Sequence, residues 1–254
     1  MGEGSPRPSS SPQAKGAYDR HVQTHGWLFD ELAHAGDEHL DPAYVQGYDR
    51  KALFDPTPDV ELLIGPGLGN EITLVDLGAG TGEFALAAAR NCRRVVAADI
   101  SEPMVEALQA KAARAGCENL EAVRAGFLTY EHEGDRPDFI YSRNALHHLP
   151  DFWKGLALER VAEVLRPGGV LRLRYLIFSC GPEESEDVIE AWLRAAPADA
   201  EEGWTRLELE THLRREFSTF SWLLEPMLQR AGFEIRDAAY SESKVFASYV
   251  CVRS

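Results

Sequence analysis

The sequence predicts an α/β fold: a doubly wound sheet of seven strands, mostly parallel, closing in a C-terminal antiparallel hairpin and covered by a helical cap. Three observations predict it. Between residues 72 and 178, apolar runs of strand length alternate with helical segments, the rhythm of βαβ units joined by right-handed crossovers. The stretch from Val75 to Phe84 reads as strand, tight turn and helix, with Gly78, Gly80 and Gly82 at every second position. Only a few residues separate the last two β segments, 233–239 and 245–252, so they pair antiparallel.

The elements follow in order. Residues 1–16, rich in Ser, Pro and Gly, read as a disordered tail, and 17–254 as a single domain. Residues 17–63 mix aromatic and polar side chains as short helices, the first segment of the cap. Ile72 to Leu77 is the first strand and Arg94 to Asp99 the second, apolar on both faces as buried parallel strands are. Ser101 caps a helix that carries Pro103 in its first turn and stops at Gly116. Strands follow at 120–124, 138–143 and 170–178, with a helix over 151–165. The acidic stretch 181–215 interrupts this rhythm and holds two helices, the second opened by the capping box Thr205-Arg206-Leu207-Glu208. A second cap segment thus spans 181–222, and a helix over 220–230 leads into the hairpin.

Charge and cysteine usage narrow the function classes. A net charge of -15 argues against a protein that holds nucleic acid by neutralising phosphates or docks on an anionic membrane. The four cysteines are scattered without a C-x-x-C pair, which suggests neither a zinc site nor a disulfide framework. No apolar run approaches the ~20 residues of a membrane span, and the N-terminus lacks the apolar core of a signal peptide. A cytoplasmic protein with reduced thiols is expected.

The glycine turn is a nucleotide-binding site in outline, and charge separates the cofactor classes that use it. A dinucleotide pyrophosphate wants G-x-G-x-x-G and bare helix N–H groups. Here the third glycine of that pattern is replaced by Glu83, and Asp76 ends the strand beneath the loop. Both disfavour phosphate and suit a positively charged cofactor, of which S-adenosylmethionine is the common one.

Asp76-Leu77-Gly78-Ala79-Gly80-Thr81-Gly82 resembles the first motif of the class I S-adenosylmethionine-dependent methyltransferases, and later stretches are similar in order and spacing. The resemblance covers residues 72–178 well and 220–254 in outline. It implies a Rossmann-like seven-stranded sheet and a methyl transfer that leaves S-adenosylhomocysteine. Asp76, Gly78, Ala79, Gly80, Thr81 and Gly82 then belong to the cofactor site. Asp99, at the end of the second strand, stands where a carboxylate accepts both ribose hydroxyls. Ile100, Met104, Gly126 and Phe127 would sandwich the adenine. The family often has an acid at the place of Phe127, and its absence leaves base recognition to another group. Arg143, Asn144 and Ala145 would lie against the methionyl part of the cofactor.

The acceptor side is less marked. Imidazoles exchange protons near neutral pH, so His147 and His148 are candidate general bases, needed only if the accepting atom must lose a proton. No metal is expected at them, because no acid or cysteine accompanies them in sequence. Tyr18, Tyr48, Trp153, Trp204 and Phe220 are candidate walls of a substrate pocket. The expected acceptor is a small molecule. An RNA or protein methyltransferase and a non-catalytic cofactor-binding protein are the alternatives. The sequence leaves the oligomeric state, the acceptor and its reacting atom open.

Overall fold

The computed structural model describes residues 26–200 and 202–254, so the expected tail and Tyr18 lie outside the described residues. In chain order the elements are α1 (Pro42–Ala52), α2 (Thr57–Ile64), β1 (Thr73–Leu77), α3 (Glu83–Ala89), β2 (Arg94–Asp99), α4 (Glu102–Arg114), β3 (Leu120–Arg124) and β4 (Phe139–Arg143). There follow α5 (Asp151–Val164), β5 (Val170–Phe178), α6 (Ser185–Arg194), α7 (Arg206–Arg215), β6 (Thr219–Phe220), α8 (Ser221–Arg230), β7 (Phe233–Tyr240) and β8 (Phe246–Arg253). Short 3-10 turns at Leu32–His34, Asp37–Leu40 and Leu146–His148 lie on the connections.

The sheet runs β3-β2-β1-β4-β5-β8-β7. Strands β1 to β5 are parallel, and β8 joins β5 antiparallel with β7 at the edge, as the hairpin requires. All five residues of β1 are buried, because helices cover both faces of the sheet. Leu74 packs on one side with Phe84, Ala85 and Ala88 of α3 and with Val60 and Leu63 of α2. Val75 and Leu77 point the other way, into a core shared with Leu158 and Val161 of α5 and Leu224 and Leu228 of α8. α2, counted with the cap from sequence, therefore packs into the main core.

One strand was not expected. β6 is an eighth, pairing in parallel with Ile177 and Phe178 off the main sheet path. Two residues carry no period-2 signal, so it exists only because β5 is longer than its neighbour β4. The overhang gives α6 and α7 a docking site: Leu176, Phe178 and Cys180 pack against Val188, Ile189, Trp192 and Leu213.

Local sequence explains the joints. Ser101 Oγ accepts the Met104 N–H at 3.3 Å, capping α4. The Thr205 capping box forms, with Glu208 returning to the Thr205 N–H at 2.8 Å. The chain after α7 is strapped to the core by the Phe217 N–H, which donates to the His147 carbonyl at 2.8 Å. Buried Lys154 holds the same strap, its ammonium donating to Asp151 at 2.8 Å and to the Phe217 carbonyl. These contacts bring Glu216 over the turn after β4.

Candidate functional site

Strand order reverses between β1 and β4, so the loops leaving these strands diverge and open a crevice at the carboxyl edge of the sheet. The glycine turn forms one wall. Gly78, Gly80 and Gly82 all have positive φ, at 74°, 54° and 86°. A Cβ on Gly78 would meet Ala145 Cβ at 2.2 Å, so glycine lets the loops after β1 and β4 touch. A Cβ on Gly82 would run into Leu108 at 2.6 Å. Gly82 does not line the crevice, which corrects its expected cofactor contact to helix packing.

Asp99 lines the crevice and is tied to the turn. Its Oδ2 accepts the Gly80 N–H at 2.8 Å and its Oδ1 the Ser101 N–H at 2.9 Å. Burial pushes its pKa up, and the two N–H groups draw it back down. Each oxygen keeps a second lone pair for a ligand. Ile100, Met104, Gly126 and Phe127, the residues expected around an adenine, line the same cavity, as do Arg143, Asn144 and Ala145, expected against the methionyl part. Ala79, Thr81 and Asp76 border an adjoining recess, which shares Tyr48, Gly78, Gly80, Arg143 and Asn144 with the main cavity.

Asp76 is buried, and its pKa is raised well above the carboxylate range by burial first and then by Asp99 and Asp59. A cationic ligand beside it restores the charged form. Glu83 contributes less to charge selection than its position in sequence implied, because Lys111 neutralises it at 2.6 Å and also binds Asp49. Thr81 donates its hydroxyl to Asp49 of α1, closing the N-terminal segment over the turn.

Glu31, which the sequence did not single out, reaches the adenine end from the cap. Its two oxygens accept the N–H groups of Phe127 and Leu128 at 2.7 and 3.0 Å. Burial pushes its pKa up to about 7. A carboxyl group thus lies beside position 127, brought there from nearly a hundred residues upstream.

A larger cavity of about 600 Å³ lies between the two cap segments. Tyr48, Trp204, Tyr44 and Trp192 are among its walls, and it shares His39, Tyr48, Arg143 and Asn144 with the glycine-turn cavity. Two expected wall residues are elsewhere. Trp153 stacks with Trp27 and Phe29, and Phe220 packs between Phe178 and Trp222. Aromatic type alone could not separate pocket from cap core. Lys51 joins the two cap segments through Glu208 and lies about 6 Å from the Trp204 and Tyr44 rings.

The imidazoles are differently engaged. His147 places Nε2 3.0 Å from Glu216 Oε2, and its buried Nδ1 finds no partner among the described residues. His148 Nδ1 is likewise buried without a partner. Burial lowers the pKa of both rings, so both are neutral near pH 7. Glu216, absent from the sequence reading, also accepts from His212 Nδ1 at 2.6 Å. Burial works against its charge, but the bonds from His147 and His212 prevail and hold its pKa far below the usual range. His39 lies where the two cavities meet. Its Nδ1 is 2.7 Å from the Ala35 carbonyl, which can only accept, so in the neutral ring Nε2 carries the lone pair.

The reversed strand order, the glycine turn and the acid at the end of β2 define a Rossmann-like nucleoside-binding enzyme domain. Residues 74–169 match the model of the methyltransferase domain family. An uncharacterized methyltransferase of Bacillus cereus is 26% identical over 82% of this chain and 89% of its own. The 27-O-demethylrifamycin SV methyltransferase of Amycolatopsis mediterranei is 36% identical over 39% of this chain and 37% of its own. Among solved structures, the magnesium protoporphyrin IX methyltransferase of Synechocystis with bound S-adenosylmethionine superposes with a TM-score of 0.60. It is 17% identical, over 91% of this chain and 100% of its own, and so speaks to the fold. Over residues 74–169 the chain thus matches the methyltransferase domain family, in line with the resemblance to class I S-adenosylmethionine-dependent methyltransferases.

Proposed function

We propose that the protein transfers the methyl group of S-adenosylmethionine to a small molecule held between its two cap segments. The observation that carries this reading is the junction: the cavity beneath the glycine turn shares His39, Tyr48, Arg143 and Asn144 as common walls with the cavity of about 600 Å³. That volume suits a metabolite-sized ligand. The aromatic walls suit an acceptor with a flat apolar body. The net charge of -15 disfavours an RNA acceptor.

When bound, the cofactor supplies an electrophilic methyl on a sulfonium. The residues of this chain then have three tasks. Asp99, anchored by the N–H groups of Gly80 and Ser101, orients the ribose. Asp76 answers the ligand's positive charge in the recess. The two cap segments, latched by Lys51 and Glu208, hold the acceptor in line and exclude water, which is most of what methyl transfer demands. Where the acceptor must lose a proton, His39 Nε2 is the lone pair at the junction. His147 is committed to Glu216 by hydrogen bonding, so His39 joins His148 as a candidate general base at the cavity.

The test is a binding titration with S-adenosylhomocysteine followed by turnover with labelled S-adenosylmethionine over a panel of phenols, carboxylic acids, amines and thiols. Saturable binding with methylation of one acceptor class is expected. Binding without turnover on the panel, but with methylation of RNA or a protein, would move the acceptor to a macromolecule. The absence of any turnover would favour a cofactor-binding sensor.

A further inference from the structure

We propose that His147, His148 and Glu216 form a binding site for a first-row divalent transition metal, of which Zn²⁺ is the probe, in the wall of the acceptor cavity. One ligand atom from each residue lies within 4.8 Å of the others. A metal with bonds of about 2.0 to 2.2 Å brings its ligands to roughly 3 to 3.5 Å from one another. His147 Nε2 and Glu216 Oε2 are already 3.0 Å apart, so small side-chain movements complete the set.

Independent observations point to the same place. His147 and His148 each bury an Nδ1 with no hydrogen-bond partner among the described residues. Buried polar atoms are nearly always satisfied, and an ion engaged by the His148 ring removes the deficit there, while His147 offers the Nε2 already beside Glu216. His212 Nδ1 fixes the Glu216 carboxyl group from behind at 2.6 Å while its own Nε2 meets Ser218 Oγ at 2.8 Å. A ligating carboxylate oriented by an outer hydrogen bond is how metal sites are commonly supported. Two imidazoles and one carboxylate favour Zn²⁺, Co²⁺, Mn²⁺ or Fe²⁺ over Mg²⁺ or Ca²⁺, which prefer all-oxygen sets.

His147 and Glu216 both line the larger cavity, so a metal bound between them would lie in the wall that an acceptor meets. An acceptor carrying a hydroxyl or phenol would bind there through oxygen and become more acidic. That consequence rests on the methyl-transfer reading; the metal site itself does not.

The experiment is equilibrium dialysis of the full chain against Zn²⁺ at neutral pH, with metal analysis, and Co²⁺ replacement read by its visible absorption. One equivalent of Zn²⁺ is expected, with affinity falling about a hundredfold in His148→Ala and in Glu216→Gln. A parallel titration with S-adenosylhomocysteine reports folding, and Glu216→Gln should bind it as the parent does. The proposal is overturned if the parent binds no zinc, or if Glu216→Gln binds zinc as tightly as the parent. Zinc binding with no methyl transfer would retain the metal site and remove the proposed function.

Discussion

Asp99 beneath the glycine turn and Glu216 at the seam of the caps are both carboxylates withdrawn from water, yet their surroundings push them in opposite directions. Asp99 is raised by burial, and what steadies its charge are the backbone N–H groups of Gly80 and Ser101. Glu216 is lowered because two imidazoles hydrogen-bond it. Backbone donors cannot titrate, move away or be mutated individually, so the hold on Asp99 does not depend on the protonation of a second side chain. Side-chain donors can do all three, so the acceptor half can diverge in sequence while the turn beside it stays the same. This physical asymmetry fits a domain in which one cofactor serves different acceptors.

Substitutions at the turn test the cofactor half first. Gly78→Ala should have the largest effect, because positive φ and the clash with Ala145 Cβ act together. A loss of about 3 kcal/mol in denaturant unfolding, with S-adenosylhomocysteine binding abolished, is expected. Ordinary stability and binding would show that the loops after β1 and β4 do not need to touch. Asp99→Ala should weaken S-adenosylhomocysteine by ~1.5 to 3 kcal/mol, about ten- to a hundredfold by calorimetry. An unchanged affinity would remove the ribose assignment.

Asp76→Asn separates stability from binding. A carboxyl whose folded pKa is raised binds its proton more tightly when folded, so its contribution to stability declines as pH rises from the unfolded value of 3.8 through the folded one. At neutral pH the variant should therefore melt higher than the parent while binding S-adenosylmethionine more weakly. Calorimetry in buffers of different ionisation enthalpy should show proton release on binding in the parent and less in the variant. A lower melting temperature in Asp76→Asn would contradict the unfavourable burial of this charge.

The smallest effect belongs to the acceptor half. Lys51→Ala removes the ion pair to Glu208, whose side chain is 36% exposed, so stability should fall by less than about 1 kcal/mol. S-adenosylhomocysteine affinity should hold while the KM of the acceptor rises. An equal loss of cofactor affinity would mean that the latch serves both halves alike.

The residues legible in sequence are those whose neighbours in space are also neighbours in the chain. Asp76, Gly78 and Gly80 form one turn, and Asp99 lies in the strand beside it, so strand periodicity and glycine spacing were enough to place them. His39, Glu31 and Glu216 carried no such mark. Each is an ordinary polar residue in a connecting or cap segment, and it gains a role only by meeting a partner far away in sequence. Glu216 is the clearest case: no acid accompanies His147 and His148 in sequence, yet one stands beside them in space. Trp153 and Phe220 fail for the converse reason, since an aromatic ring has the same sequence signature in a pocket and in a core.

By itself the sequence determined the βαβ order, the closing hairpin, the capped helices and the class of cofactor. Each follows from local periodicity, turn chemistry or a charge beside a glycine. Only the tertiary structure decided the two-residue strand β6, the cavity between the caps, the His39 nitrogen at its mouth and the His147–Glu216–His212 seam. These depend on how far β5 overhangs its neighbour and on where the chain after α7 is strapped down by Lys154 and the His147 carbonyl. Such long-range packing leaves no periodic trace in the chain.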